Sequence, residues 1–539
     1  MAAPDTKNIF ARFKRLKNDR AVWEGHWEEI AERVLPRSRI FTGELTEGDK
    51  RTSKLYDATA ALACERFASA VESLLTPRGA RWHQLRSTNP TLNKDHDVRL
   101  WFDQVTNIMF SYRYSPKTFF SSQMYEGYMS TGAFGTAGLF VDEHPEGGLM
   151  YRQVHLADLY IAENEMGRID TVFRTFKVTA RQALRMFEDS SLSDNIRKLA
   201  ADKPDDKIEL LHVVCPRTDR DITARDRRNR AFFSGYYEVK EQQLIEEGGF
   251  DDNPYIISRY ITGPREVYGR SPAMTILPDI KMLNEMSKTV IRAGQKAVDP
   301  PLIIADDGVI LPVNSKPGAA TFARMDGRNQ APIQPLHTGA RVDIGLDMME
   351  QRRKMINDAF LVSLFQILVE SPQMTATEVL QRAQEKGALL APTVGRQQSE
   401  TIGPLIEREF ALLAEQGFIP PPPPVMEEAG GEYEIEYVSP LTQAMKAPEG
   451  VGILRTLESV QAIAAVDPSV MDNFDTDEIT RTLAEIHGAP QKILRDENEV
   501  AEMRGQRQQA QMMQTGINSA PQLADAGLKV AQIAEMGQT

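Results

Sequence analysis

The side chains with the most chemical potential crowd into one stretch. Arg217, Arg220, Arg225, Arg227, Arg228 and Arg230 alternate with Asp219, Asp221 and Asp226. Guanidinium groups at this density could hold phosphates. The interleaved carboxylates point instead to a salt-bridged, solvated loop or a subunit contact, with phosphate contact as the alternative. No aromatic ring suited to base stacking occurs before Phe232 and Phe233, which read as strand. Asn473, Asp475, Asp477 and Glu478 resemble a cation loop, but its glycine and distal Glu are missing. Asp475 or Thr476 as a helix N-cap is the better reading. The glycine run Gly132 to Gly138 could cradle phosphate only between a strand and a following helix. Here it leads from a helix to a strand, so a closely packed turn is expected. The histidines (His26, His83, His96, His144, His155, His212, His337 and His487) are scattered and read as core or surface residues. Cys64 sits among alanines and reads as packing; Cys215 has no partner at a metal spacing. The sequence holds no phosphate loop, Gly-x-Ser-x-Gly elbow or His-Glu-x-x-His helix. No catalytic residue, cofactor or metal is therefore expected, and the chain reads as no enzyme.

The elements around these residues follow from composition and periodicity. The chain has 539 residues, with 41% hydrophobic and 26% charged side chains. That is ordinary globular usage, enough for about three to five domains. The net charge of −13 argues against a protein that coats nucleic acid. Two cysteines exclude a disulfide framework. Met1 to Arg15 mixes charges into its apolar residues and does not read as a signal peptide. The longest uncharged apolar run, Ala359 to Val369, is about half of what a membrane span needs.

Ile9, Leu16, Trp23 and Ile30 mark one face of a first helix that Pro36 stops. An alanine-rich helix is expected over Leu55–Leu75, and further helices over Val98–Tyr114 and Phe119–Met129. Short strands follow at Leu139–Val141, Met150–His155, Val172–Phe176, Ile208–Val214, Ala231–Glu238 and Tyr255–Tyr260, with a helix capped by Thr179 among them. Residues from about 135 to 262 thus read as mixed α+β. A rod over Ser271–Ala297 and a second over about Asp343–Leu368 flank the turn-rich Leu302–Arg341. The helix after Thr375 is expected to break at Gly387, Pro392 and Gly403-Pro404. Pro420 to Pro424 read as a stiff linker, Tyr433–Val438 as a strand, and Val451–Val466, Asp477–His487 and Glu497–Met513 as helices before a Gln-rich tail. One chain cannot bury both faces of two such rods well. They form either a hairpin packed on their own domain or a ring of subunits whose rods line a shared channel.

Several stretches, taken together in order, resemble the portal (head-to-tail connector) proteins of short-tailed bacteriophages. They are Leu55-Tyr56-Asp57-Ala58-Thr59, Leu75-Thr76-Pro77, Trp82-His83-Gln84-Leu85 and Gly167 to Arg174 with Thr179-Ala180-Arg181-Gln182. Tyr268-Gly269-Arg270-Ser271-Pro272, Met374 to Val379 and Tyr437-Val438-Ser439-Pro440-Leu441 complete the set. The resemblance implies an α+β, mostly helical portal fold that assembles into a ring, usually of twelve copies, around a central channel. It implies a wing over residues 1–271, stem helices over 272–297 and 343–365, and a clip over 298–342. A channel loop over 366–374, a wing helix and strand over 375–445 and a crown with its tail over 446–539 follow. Such rings sit at one vertex of the virion capsid after assembly in the host cytoplasm. They pass double-stranded DNA in packaging and ejection and dock a terminase large subunit and then a tail adaptor. They also meet scaffolding, major capsid and, in some phages, internal core proteins. No membrane is involved.

On that resemblance Glu370, Ser371, Pro372 and Gln373 are the expected valve. Lys288, Arg292, Lys296, Arg352 and Arg353 face the channel or bridge subunits, or else pair with neighbouring stem acids. Arg324, Asp326 and Arg328 mark the clip docking surface, and Arg225, Arg227, Arg228 and Arg230 the basic loop. The competing readings are another virion component, such as a tail or scaffold protein, or a metal-dependent nuclease.

Overall fold

A computed structural model of the chain describes residues 5–36, 41, 52, 55–188, 191–221, 226–304, 333–335, 342–362, 393–430, 432–438, 440–464, 467–486, 493–495 and 499–511. The chain forms two compact units: Met1–Ala80 with Ser111–Gln416, and Arg81–Phe110 with Gly417–Thr539. In chain order the elements begin with helices α1 (Thr6–Ala31) and α2 (Thr59–Leu75), strand β1 (His83–Ser87), and helices α3 (His96–Arg113) and α4 (Phe120–Phe134). Strands β2 (Thr136–Glu143), β3 (Leu149–Val154), β4 (Leu159–Glu163) and β5 (Ile169–Thr179) follow, then α5 (Ala180–Met186) and α6 (Asp194–Asp202). Next come β6 (Lys207–Pro216), β7 (Phe232–Glu238), β8 (Gln243–Phe250), β9 (Tyr255–Arg259) and the long α7 (Pro272–Val298). β10 (Leu302–Ile304) pairs with β11 (Ile333–Pro335) before α8 (Val342–Ala359). The remaining elements are α9 (Gly403–Glu415), α10 (Pro424–Glu428), β12 (Tyr433–Tyr437), α11 (Pro440–Ala464) and α12 (Thr476–Ile486).

The first unit is built on an antiparallel sheet of order β4-β5-β6-β7-β8. Alternation along β6 sends Leu211, Val213 and Cys215 to one face, where Ile9, Phe10, Phe13 and Leu16 of α1 cover them. Ile208 and Leu210 point the other way, against Ala183, Phe187 and Ile196 of the α5–α6 region. Thr179 and Gln182 form a full capping box at the start of α5. His212 continues this second face and is a satisfied core histidine. Its ring nitrogens lie 2.6 Å from Tyr255 Oη and 2.9 Å from Ser234 Oγ, and its ring stacks on Tyr236. Burial, with Arg174 nearby, lowers its pKa to about 3. A second sheet, β3-β2-β9, supports α4 and α9.

The second unit joins β1 to β12 in antiparallel register, His83 opposite Tyr437. Trp101 of α3 donates its indole N–H to the Pro420 carbonyl at 3.0 Å, which fixes the start of the proline run. Asp475 caps α12, accepting from the amides of Asp477 and Glu478 at 3.0 Å each.

Several boundaries differ from expectation. α4 runs on through Gly132 to Phe134 and ends at Gly135 in the left-handed region; at Gly132 a Cβ would lie 2.8 Å from Phe67, so α2 and α4 pack too closely for a side chain there. The second rod ends at Ala359 rather than near Leu368; Leu361 takes φ 59°, and Phe360 and Val362 turn into the core. Gly403-Pro404 does not break its helix. A π-turn over Gln398–Ile402 leads straight into α9, with Pro404 in its first turn, where no N–H is needed. The proline linker yields to α10 at Pro424, and α11 begins at Pro440, ahead of Val451.

Candidate functional site

The rods α7 and α8 are positioned by the body of the first unit. Ser271 caps α7, accepting from the Met274 amide at 3.0 Å while its hydroxyl donates to the Ala133 carbonyl at 2.7 Å. Beside it, Gly135 and Gly269 meet backbone to backbone. A Cβ on Gly135 would fall 2.4 Å from the Gly269 oxygen, and Gly135 itself takes φ 76°. Only glycine suits that position. The expected helix-to-strand turn at Gly132–Gly138 is thus also the seat of the first rod.

α7 is 27 residues, about 40 Å long, and α8 is 18 residues, about 27 Å. They cross closely, since a Cβ on Gly345 would lie 2.9 Å from Val290. The proximal half of α7 is buried through Ile276, Ile280, Leu283 and Ser287, and α8 is buried at Met349 and Ile356. Beyond Ser287 the burial ends. Ile291, Val298, Ile344, Leu346 and Met348 are 44–89% exposed. Among the described residues, this distal half of the hairpin has no apolar cover apart from its two helices' contact.

A polar seam holds the proximal half. Asn284 of α7, 5% exposed, accepts from the amides of Tyr56 and Asp57 at 2.9 and 3.2 Å and donates to the Ile280 carbonyl at 3.0 Å. Arg353 of α8 grips Asp57 Oδ2 through Nε and Nη2 at 3.1 and 2.9 Å, and Glu350 lies 3.5 Å from its third nitrogen. Asp57 Oδ1 accepts from the Thr59 amide at 2.9 Å and so starts α2. Burial raises the Asp57 pKa, but the bonds from Thr59 and Arg353 outweigh it and leave the carboxyl below its ordinary range. Arg352 pairs with Asp279 of α7. Lys281 pairs with Glu29 of α1, which draws the Glu29 carboxyl down.

Among the expected stem cations, Arg352 and Arg353 therefore pair within the chain. Lys288 lies 3.4 Å from Glu285 and over the Tyr56 ring at 5.7 Å. Arg292 and Lys296 are exposed and pair with no described residue; with Lys288 they form one stripe along α7. In the basic loop, Arg217 pairs with Glu247 at 3.1 Å, and Arg230 with Glu415 and, at 3.6 Å, Asp251. Arg227 and Arg228 are exposed. Arg225, Arg324, Asp326, Arg328, Glu370, Ser371, Pro372 and Gln373 lie outside the described residues.

Sequence reasoning missed the acceptors. Asp57, Asn284 and Asp279 carry the seam, yet Asp57 lies 296 residues from Arg353 along the chain. The available signal was that Asp57 falls within the Leu55–Thr59 stretch of the resemblance. Among the described residues no group of three or more His, Cys, Asp or Glu could hold a metal ion. No described helix is long and apolar enough to cross a membrane.

Comparison with known proteins gives the family. Residues 6–494 match the family described as bacteriophage head to tail connecting protein. The chain is 29% identical over 537 residues to a probable portal protein of Bordetella phage BPP-1, spanning 96% of this chain and 95% of the relative. It is 27% identical over 539 residues to the portal protein of Salmonella phage epsilon15, with the same two shares.

Proposed function

This chain belongs to the bacteriophage head to tail connecting family, and from that premise we propose that its copies close into a ring at one vertex of the viral head. The observation that carries this reading is the uncovered distal half of the rod pair, with Ile291, Val298, Ile344, Leu346 and Met348 exposed. Apolar surface of that kind marks a contact with another molecule. A head-to-tail contact between identical copies closes into a ring when its rotation divides the circle. Roughly twelve copies would then carry α7 and α8 as the stem around a channel for double-stranded DNA.

The ring as a whole would be strongly negative, at −13 per copy. DNA would slide through rather than adhere, because tight binding needs many phosphate contacts. Arg292 and Lys296 would offer the sparse positive points along that path. Residues 298–342, with Arg324, Asp326 and Arg328, would be the clip that docks the terminase large subunit and later the tail adaptor. Residues 366–374 would be the channel loop, with Glu370 to Gln373 as valve. Residues 1–271 and 375–445 would form the wing and 446–539 the crown, meeting capsid and scaffolding proteins. The protein would act as a structural conduit of the virion and nucleate head assembly, with no catalytic step of its own.

The test is negative-stain imaging combined with native mass measurement of the purified chain. The expected result is a closed ring of about twelve copies with a central hole wide enough for duplex DNA. A stable monomer or small closed oligomer at high concentration would overturn the reading.

A further inference from the structure

We infer that the segment Tyr56–Thr59 is a clasp that sets the angle at which the rods leave the body, and thereby fixes how many copies close the ring. The inference rests on the ring reading above and concerns what makes the ring uniform. One short segment touches three helices at once. Its backbone amides at Tyr56 and Asp57 bind Asn284 of α7. Asp57 divides its carboxylate, one oxygen to the start of α2 and the other to Arg353 of α8. The Tyr56 ring lies under Lys288, where the exposed half of α7 begins. The contacts to α7 and α8 come from successive residues, so neither rod can tilt against α2 without stretching one of them.

The geometry of closure explains why such stiffness matters. Each copy in a ring of twelve is rotated by about 30° from its neighbour, against about 28° for thirteen and about 33° for eleven. A tilt of ~2–3° thus separates one copy number from the next. Over a rod of about 27 Å that tilt moves the far end by only ~1 Å. Asn284 sits 12 residues, about 18 Å, along α7 from its seated start, so the same tilt about that start shifts it by ~0.6–0.9 Å and stretches its 2.9 Å bond from the Tyr56 amide to the limit of hydrogen bonding or past it. The clasp contacts are therefore tight enough to distinguish neighbouring copy numbers, and they act midway along α7, where its buried half ends and any slack is carried on into the exposed half. Asn284 and Arg353 are positioning residues in this sense: each acts by holding the Tyr56–Asp57 backbone and carboxylate against its rod.

The experiment is native mass measurement of rings assembled from the full chain, for wild type, Asn284→Leu, Arg353→Leu and the milder Arg353→Lys. Ile196→Ala, in the sheet core away from the rods, serves as a control for lost stability. The expected result is one copy number for wild type and for Ile196→Ala. Asn284→Leu and Arg353→Leu should show additional populations displaced by whole chain masses of 60.5 kDa. Arg353→Lys keeps the charge and should move back toward the single population. Clasp variants that fold and assemble with the wild-type copy number, differing only in melting temperature as the control does, would overturn the inference. So would folded clasp variants that stay monomeric, because a device that only tunes an angle leaves closure possible. If wild type itself forms no ring, the ring reading fails first, and that outcome is distinct from either of these.

Discussion

The body of the first unit and its rod pair are built from the same residue types and spend them differently. In the body, three arginines are buried and matched. Arg113 and Glu409 are each 0% exposed and form a bidentate pair, and Tyr151 donates to Glu409 at 2.6 Å. Arg20 lies against the Tyr160 ring and donates to the carbonyls of Leu156, Ala157 and Leu159. Arg259, 3% exposed, joins Glu163 and Glu400. In the rods the ion pairs sit at the surface, with Arg352 and Arg353 about a third exposed, and apolar side chains face outward. The body thus seals its strongest ion pairs from solvent within one chain. The hairpin leaves apolar side chains outward in its distal half and is held by polar contacts in its proximal half.

The largest effect expected under this contrast is at the buried pair. Glu409→Leu leaves Arg113 charged, desolvated and without its carboxylate. Removing one partner of such a pair costs about 3–5 kcal/mol. The denaturant midpoint of the first unit should fall accordingly, without a change in slope. A loss below about 1 kcal/mol would mean that the body is no more committed to its charges than the rods are.

The second effect is acid-linked and sits at His212. Its folded pKa of about 3 lies below the ordinary value near 6.5. The unfolded chain therefore binds a proton that the folded chain refuses. The stability this contributes is fully present above pH 6.5 and is lost as pH falls from 6.5 toward 3, about 2 kcal/mol of it by pH 5. Urea midpoints measured from pH 7 to 5 should slope downward in wild type, and less so in His212→Gln. Equal slopes in the two proteins would show that the sheet core tolerates the charge.

Much of this architecture was legible in the sequence, and the exceptions have physical reasons. The 3.6-residue pattern and the Ser271-Pro272 start read out α7 correctly, because a helix is specified by neighbours along the chain. Strands β5, β6, β7 and β9 were legible from their β-branched and aromatic runs. β8 was missed, since Gly248, Gly249, Glu246 and Glu247 dilute its alternation. β1 was missed for a different cause: five residues read as strand only beside β12, about 350 positions away. The resemblance to portal proteins was carried by short stretches such as Leu55–Thr59. What that stretch does, reaching Asn284 and Arg353 through space, is set by tertiary packing that no local pattern encodes. The stem cations were expected on that resemblance, and their individual carboxylate partners were not named, for the same reason.

The smallest effect sharpens the contrast from the rod side. Arg352 and Asp279 tie α8 to α7, with side chains 30% and 19% exposed. Water and salt reach both groups, so the attraction is screened and part of it is spent on ordering two flexible side chains. A cycle of Arg352→Gln, Asp279→Asn and the double variant should give a coupling of no more than about 1 kcal/mol. It should shrink further as salt is raised to ~1 M, where the screening length falls to about 3 Å. The Glu409→Leu loss should be nearly independent of salt, because its charges are sealed from solvent. If instead the Arg352–Asp279 coupling reached several kcal/mol and ignored salt, the rods would be held as firmly as the body. Their exposed apolar faces would then belong to a rigid arm, and loosening its base would leave the ring's copy number unchanged.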